Sequence, residues 1–395
     1  MPWGGLTEAE TIALQKLLAQ PSAVVYFDGS VIITRRSDGS ELYRATKGVN
    51  DALAIQAALN DLTSGGRVIL KRGTYACKTA LTVQYAHTVI SGESTQVTVL
   101  DFSSVVLTDA LVGNGKEGLL VENLKFKSSN GQTHNAIRLS DGCNFWHLRD
   151  LYFENFDGST VLLKSTTASG VGYGLAENLI IITPGNTGAG IGIGINLYAT
   201  SPGFVNGNAF VKVHIIGASW GVAMQDTGAI ANNKFVALSM EQGSIGVRIL
   251  NSNAYDNLFD YHPDGGTLTS AITVTASDGN LFITDRATWT DGVTDDGKSS
   301  FLGNKKVGAS ILSGTFAIDA LGIKTVTIAH GLAFAPALQE CQVSVVEGSA
   351  VDDWAFNLLK VVSADVTNVV IKINVSTASA SVGATAKIAL RVGKP

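Results

Sequence analysis

Asn123–Phe126 reads NLKF, and six later stretches repeat its pattern: Asp150–Phe153 (DLYF), Asn178–Ile181 (NLII), Asn208–Val211 (NAFV), Asn233–Val236 (NKFV), Asn257–Asp260 (NLFD) and Asn280–Ile283 (NLFI). In each, an Asn (once an Asp) stands ahead of a short apolar run. The steps between them are 27, 28, 30, 25, 24 and 23 residues. A second track lies between the first: Ala136–Leu139, Thr160–Leu163, Gly190–Ile193, Gly221–Met224, Gly246–Ile249 and Ala271–Val274. Self-similarity at a period of about 20–50 residues marks a solenoid or an array. Each period holds at least two β-like runs and no helical pattern. That is one coil of a parallel β-helix, whose stacked coils share a continuous core.

Composition agrees with a solenoid. Charged residues make up 15% of the 395, against about 25% in ordinary chains. Gly is abundant at 43 and Pro scarce at 7, which suits tight turns. The net charge of −5 and the lack of a basic block argue against a nucleic-acid partner. Cys77, Cys143 and Cys341 lie far apart without metal-ligand spacing and read as small buried hydrophobes. The amino terminus, MPWGGLTEAE, is acidic and lacks the apolar core of a signal peptide. No apolar run approaches the length of a membrane span. P-loop, GxSxG and HExxH patterns are absent, and GAGIGIG at Gly188–Gly194 sits inside a β coil with no helix after it. No cofactor or metal is expected.

Three regions are expected: 1–48, 49–305 and 306–395. The first holds an amphipathic helix over Thr7–Gln20, with Thr7 and Glu10 as a capping box and Pro21 as its stop. It continues with two Asp-Gly turns, Asp28-Gly29 and Asp38-Gly39, each flanked by strand-like sequence, a small antiparallel meander. The second opens with a helix over Asn50–Leu62, whose apolar spacing (Leu53, Ile55, Ala58, Leu59, Leu62) suits a lid over the open end of the first coil. Coils then run from about Arg67 to about Thr290. The acidic stretch Thr284–Lys298 reads as a polar linker. The third region alternates in short β runs between Ser-, Thr- and Ala-rich turns, as a β-sandwich does.

The run DALAIQAALN at Asp51–Asn60, GGRVIL and GTY at Gly65–Tyr75, and VISGES with TVLD within Val89–Asp101 resemble the amino-terminal part of the pectate-lyase-superfamily right-handed β-helices, in particular phage tailspikes and tail-associated polysaccharide depolymerases. The usual Pro before the Gly-Thr-Tyr turn is replaced by Lys71-Arg72. HGLAFAP at His330–Pro336 resembles a turn in carboxy-terminal sandwich modules of tail fibres and spikes, which trimerise the spike or bind sugar. The resemblance implies an all-β protein: a right-handed parallel β-helix with a short N-terminal helical and hairpin segment and a C-terminal antiparallel β-sandwich. It also implies a homotrimer in the virion tail, attached to tail or baseplate through its N-terminus, acting on a bacterial surface polysaccharide. Pectinases, epimerases, endoglycosidases and inert fibres share this fold, so chemistry has to be argued from residues.

Strand residues alternate between core and solvent. With the Asn at position zero, positions +1 and +3 are nearly all apolar and are assigned to the core; Lys234 and Asp260 are exceptions that a bulge would accommodate. Position +2 then faces outward and reads Lys125, Tyr152, Ile180, Phe210, Phe235, Phe259, Phe282. Such an apolar stripe is explained by packing in a parallel trimer, by stacking on sugars, or by an inverted parity that puts the phenylalanines in the core. The Asn column reads as one ladder of stacked amides containing Asn178, Asn208 and Asn233. Glycoside hydrolysis needs two carboxyls about 5–9.5 Å apart. Glu241 ends an outward strand, Asp226 lies in the loop after GVAM, and His214 stacks near Ser239 within reach of Glu241; these three are the catalytic candidates, with Asp256 or Asp260 as alternate acids. Trp220 and Tyr152 are the candidate sugar-binding aromatics. The reading is an endo-glycosidase, with a non-catalytic fibre or adhesin and a polysaccharide lyase as alternatives.

Overall fold

The structure is a computed structural model that describes residues 22–129, 131–183 and 192–263. It also describes the segments 270–274, 280–284, 293–294, 300–303, 316–317, 322–329, 341–348, 356–364, 368–375 and 385–392. The expected helix over Thr7–Gln20, the His330–Pro336 turn and most of the Thr284–Lys298 stretch lie outside the described residues. Two compact units divide the chain, Met1–Gly303 and Asn304–Pro395.

The first unit is a parallel β-helix whose coils contribute to three sheets. Among the described residues the long sheet has 15 strands, the second sheet 9 and the short sheet 5. Successive long-sheet strands pair in parallel from Gly66–Leu70 through Leu120–Lys127, His147–Glu154, Leu175–Ile182, Ala209–Ile216 and Lys234–Glu241 to Ser300–Gly303. The apolar residues of all coils form one continuous core. Both Asp-Gly turns close hairpins, pairing Ala23–Asp28 with Val31–Arg36 and the latter with Glu41–Thr46. Ala23–Val25 also pairs in parallel with Val68–Leu70, so the meander extends the long sheet past its first coil.

Helix α1 (Ala52–Asp61) closes the apolar end with Ala54, Ile55, Ala58 and Leu59; Leu53 faces solvent. Asp51 is fully buried just before it, accepting hydrogen bonds from the backbone amides of Gly48 and Ala76, both at 2.8 Å. The carboxylate thus ties the helix entry to the first coil. The second unit is described as backbone: two three-stranded antiparallel sheets, one centred on Thr385–Val392 and one on Asn368–Val375.

The single Asn ladder expected from sequence is two ladders, and this corrects the parity. Asn123, Asp150 and Asn178 lie inside long-sheet strands with φ of 57°, 52° and 54°. There the strand bends, and one extra residue separates the inward Val121 from the inward Leu124. Left-handed backbone tolerates Asn and Asp better than other non-glycine residues. Asn208 pairs with a different column. Its Oδ1 accepts from Gly174 N at 3.0 Å, while Asn178 aligns with Lys212, which holds the bend at φ 54°. Asn208, Asn233, Asn257 and Asn280 are buried at the turn before the strand, each Nδ2 donating to the next Oδ1 at 2.9–3.0 Å. The 30-residue step from Asn178 to Asn208 is the jump between columns.

Consequently Phe210, Phe235, Phe259 and Phe282 are core residues, stacked at centroid spacings of 4.6, 4.9 and 4.8 Å. The external phenylalanine stripe does not exist; the third of the three explanations holds for these coils. Leu124, Leu151 and Leu179 do face the core as expected, whereas Lys234 and Val236 face outward. A register shift after Phe235 absorbs the mismatch with the next coil, where Asp260 Oδ2 accepts from Ala237 N at 3.1 Å.

Candidate functional site

The outer face of the long sheet gathers titratable side chains because the bend repeats the same parity in each coil. In the column two residues past the bend stand Lys125, Tyr152, Ile180, His214, Ser239 and His262. His214 Nε2 lies 3.1 Å from Glu241 Oε1, and the two side chains are 37% and 34% exposed. The atoms are close but not aligned as a hydrogen bond, and His214 Nε2 itself is buried against the carboxylate while the rest of the ring is exposed. Glu241 extends the adjoining column, opposite Ile216. Two coils from His214, Tyr152 lies with the Lys125 ammonium 4.7 Å over its ring, and Lys125 pairs with Glu154.

Two further histidine–carboxylate contacts share this face: His147 with Glu177 at 2.9 Å and His262 with Asp260 at 3.0 Å. Neither histidine stood out in the sequence, because the Asn-based alignment hid that His262 shares a column with His214. Glu122 also lies on this sheet, yet it is 3% exposed between Arg67, at 3.1 Å, and Arg149. Its hydroxyl partner Ser91 donates at 3.0 Å. A carboxylate so fully paired holds the coils together and has no room for substrate.

The other sequence candidates lie elsewhere. Asp226 follows the second-sheet strand Trp220–Gln225, six residues beyond Trp220. At about 3.3 Å per residue this puts it roughly 20 Å from the corner where Glu241's strand ends. The structure therefore brings His214 and Glu241 together and leaves Asp226 apart. The Thr200 hydroxyl holds the Asp226 carboxyl below its ordinary range against desolvation, with further help from Tyr198 and Thr227. Tyr198 is pushed up in turn, chiefly by its hydrogen bond to Asp226. A shallow groove of about 340 Å³ adjoins Asp226, walled by Pro202, Phe204 and Tyr255. Trp220 is half-buried, with the Arg248 guanidinium 4.0 Å over its ring, so that face is closed to a sugar. Asp256 is exposed at a left-handed corner before its strand. Among the described residues no cluster of His, Cys, Asp and Glu is arranged to hold a metal ion, and no helix is long and apolar enough to cross a membrane.

No family model matches the sequence, and no curated protein matches it. Among solved structures, the chain is similar to ORF18 of Geobacillus virus E2, with 13% identity and a TM-score of 0.54 over 85% of this chain and 76% of that one. The likeness is one of fold, the parallel β-helix. The β-helix is also similar to an alginate lyase from Paenibacillus sp. str. FPU-7, at 16% identity and a TM-score of 0.49 over 66% of this chain and 94% of that one. A third match is the tailspike of Acinetobacter phage vB_ApiP_P1, at 12% identity and a TM-score of 0.36 over 87% of this chain and 84% of that one. At 13% identity the match to ORF18 speaks for the fold alone and leaves the chemistry to this chain's own residues.

Proposed function

We propose that this β-helix is a tail-associated phage or prophage protein that binds a bacterial surface polysaccharide and cleaves it on the outer face of the long sheet. The observation that carries this reading is the 3.1 Å contact of His214 with Glu241, both a third exposed, in line with Tyr152 on the same face. A carboxyl and an imidazole in contact supply an acid and a base within one sugar's reach, and such groups typically contribute about 10²–10⁴-fold in rate. In a hydrolase, Glu241 serves as one of the two carboxyls, with the His214 imidazole in contact with it. The fold shared with a virus protein agrees with this assignment.

A lyase is the second reading, and the position of Asp226 favours it: without Asp226 the pair offers one carboxyl, and β-elimination needs a base rather than two carboxyls. Assembly as a homotrimer is part of the proposal. Its support is the low charge of the chain, 15% against about 25% in ordinary chains, which suits burial of surface between subunits. The deciding experiment incubates the protein with capsular and O-antigen polysaccharides. New reducing ends alone indicate hydrolysis, and reducing ends with unsaturated-uronate absorbance indicate elimination. Binding without cleavage of any sample makes the protein a fibre or adhesin.

A further inference from the structure

In the first two coils the long-sheet strand does not bend but breaks. Gly66–Leu70 is followed by Gly73–Ala76, and Thr88–Gly92 by Thr98–Asp101. Lys71 and Arg72 fill the first break, and Glu93 opens the second. Over these breaks stand the outward side chains of the meander, and together they enclose a groove of about 640 Å³ with Tyr26 and Phe27 in its wall.

Four cations line this groove: Arg35, Arg36, Lys71 and Arg72. Arg36 is paired bidentately with Asp61 at 2.7 and 2.8 Å. Glu93 serves both Lys71, at 3.2 Å, and Arg72, at 3.8 Å. Counting Glu93, Asp61 and also Asp38, which acts on Arg36, and taking Glu41 opposite Arg35 as paired with Arg44, the four cations still exceed the carboxylates, in a chain whose net charge is −5. Arg72 is 85% exposed, and Arg35 is exposed with its guanidinium 5.9 Å from the centre of the Tyr26 ring. Guanidinium forks match the paired oxygens of carboxylate and phosphate groups, and aromatic walls suit the apolar face of a sugar ring. Lys71 and Arg72, in the first break, supply half of the cations. The groove opens on the same sheet as His214, five coil steps away, or roughly 24 Å at about 4.8 Å per coil. An extended polysaccharide lying along the sheet would span both.

The geometry points to this groove as a binding subsite for the anionic groups, carboxylate or phosphate, of an acidic polysaccharide. The inference rests on the proposed polysaccharide-cleaving function and adds the charge class of its substrate. Calorimetry with hexagalacturonate, phosphorylated mannohexaose and neutral mannohexaose tests it. The acidic probes are expected to bind at least 10-fold more tightly than the neutral one, and the stronger of the two identifies the anion. Raising NaCl should weaken that binding, since exposed charges are screened. Arg35→Glu and Arg72→Glu should each lower acidic-probe affinity at least 10-fold, while Lys78→Glu, exposed outside the groove, should not. Thermal unfolding verifies that the variants fold, and the double Arg35→Gln, Arg72→Gln variant stands in if charge reversal prevents folding. Equal binding of acidic and neutral probes, or native affinity in the folded groove variants, overturns the inference. Cleavage of neutral polysaccharide without acidic-probe binding overturns the subsite alone. Groove-dependent acidic-probe binding with no cleavage of any polysaccharide overturns the cleaving function alone and keeps the subsite.

Discussion

His214 and Glu241 come from adjacent coils, and their contact exists because Ser239 stacks on His214 and Glu241 lies two residues further along the same outward face. Glu241→Gln keeps the shape and removes the ionisable group. Polysaccharide cleavage should fall at least 10²-fold with glycan binding retained. Asp226→Asn should change the rate far less, because Asp226 stands at the far end of the second-sheet strand; a comparable loss in both variants, measured side by side on one polysaccharide, would refute that separation. Asp226 has a different signature. Its folded carboxyl titrates below its unfolded range because the Thr200 hydroxyl, then Tyr198, favour the charged form. Its contribution to stability is therefore complete above the ordinary carboxylate range and is lost as pH falls through the lower folded value. Denaturant unfolding across the acid range should show a shallower acid loss in Asp226→Asn than in the native chain.

The strand bend and the buried turn use the same residue type for different reasons. At the bend, Asn123, Asp150 and Asn178 relieve left-handed backbone, and Asn178 is exposed, donating only to Asp150 at 3.0 Å. At the turn, Asn208 is buried and satisfies the coils on both sides. Asn208→Leu should thus cost about 1–3 kcal/mol by stranding its neighbours' polar groups. Asn178→Leu should cost clearly less, and chemical unfolding of the two variants distinguishes them. Lys212 occupies the bend with an exposed side chain at φ 54°, a backbone that disfavours lysine by about 1–2 kcal/mol. Lys212→Asn should raise the unfolding midpoint, corresponding to up to about 1 kcal/mol. Gly174 marks the limit of what the turn column admits: a Cβ there would run into the buried Trp146 indole.

At the scale of the molecule, a homotrimer should give a light-scattering mass of three times 41.2 kDa. A soluble monomer at micromolar concentration would remove the trimer from the proposal. Phe235 does not report on assembly, because it is fully buried in the phenylalanine stack. Phe235→Ala should instead cost about 3–5 kcal/mol in the stability of the coils, read by chemical unfolding.

The period near 26 residues, the two Asp-Gly hairpins and the apolar spacing of α1 were legible in the sequence, because each rests on local rules: alternation along a strand, φ > 0 at a turn, and a helical stripe. Their sum is enough to specify a capped β-helix. The contact of His214 with Glu241 was legible too, since a register of one coil brings those positions together. The direction of Phe210, Phe235, Phe259 and Phe282 was not. A side chain's face depends on whether the strand bends before it, and one left-handed residue shifts every later position to the opposite face. Asn at Asn178 and Asn at Asn208 look alike along the chain, and only the stacking of coils assigns one to a bend and the other to a buried ladder. The same holds for Asp226: its place follows from the length of a strand between two corners, and tertiary structure alone sets where those corners fall.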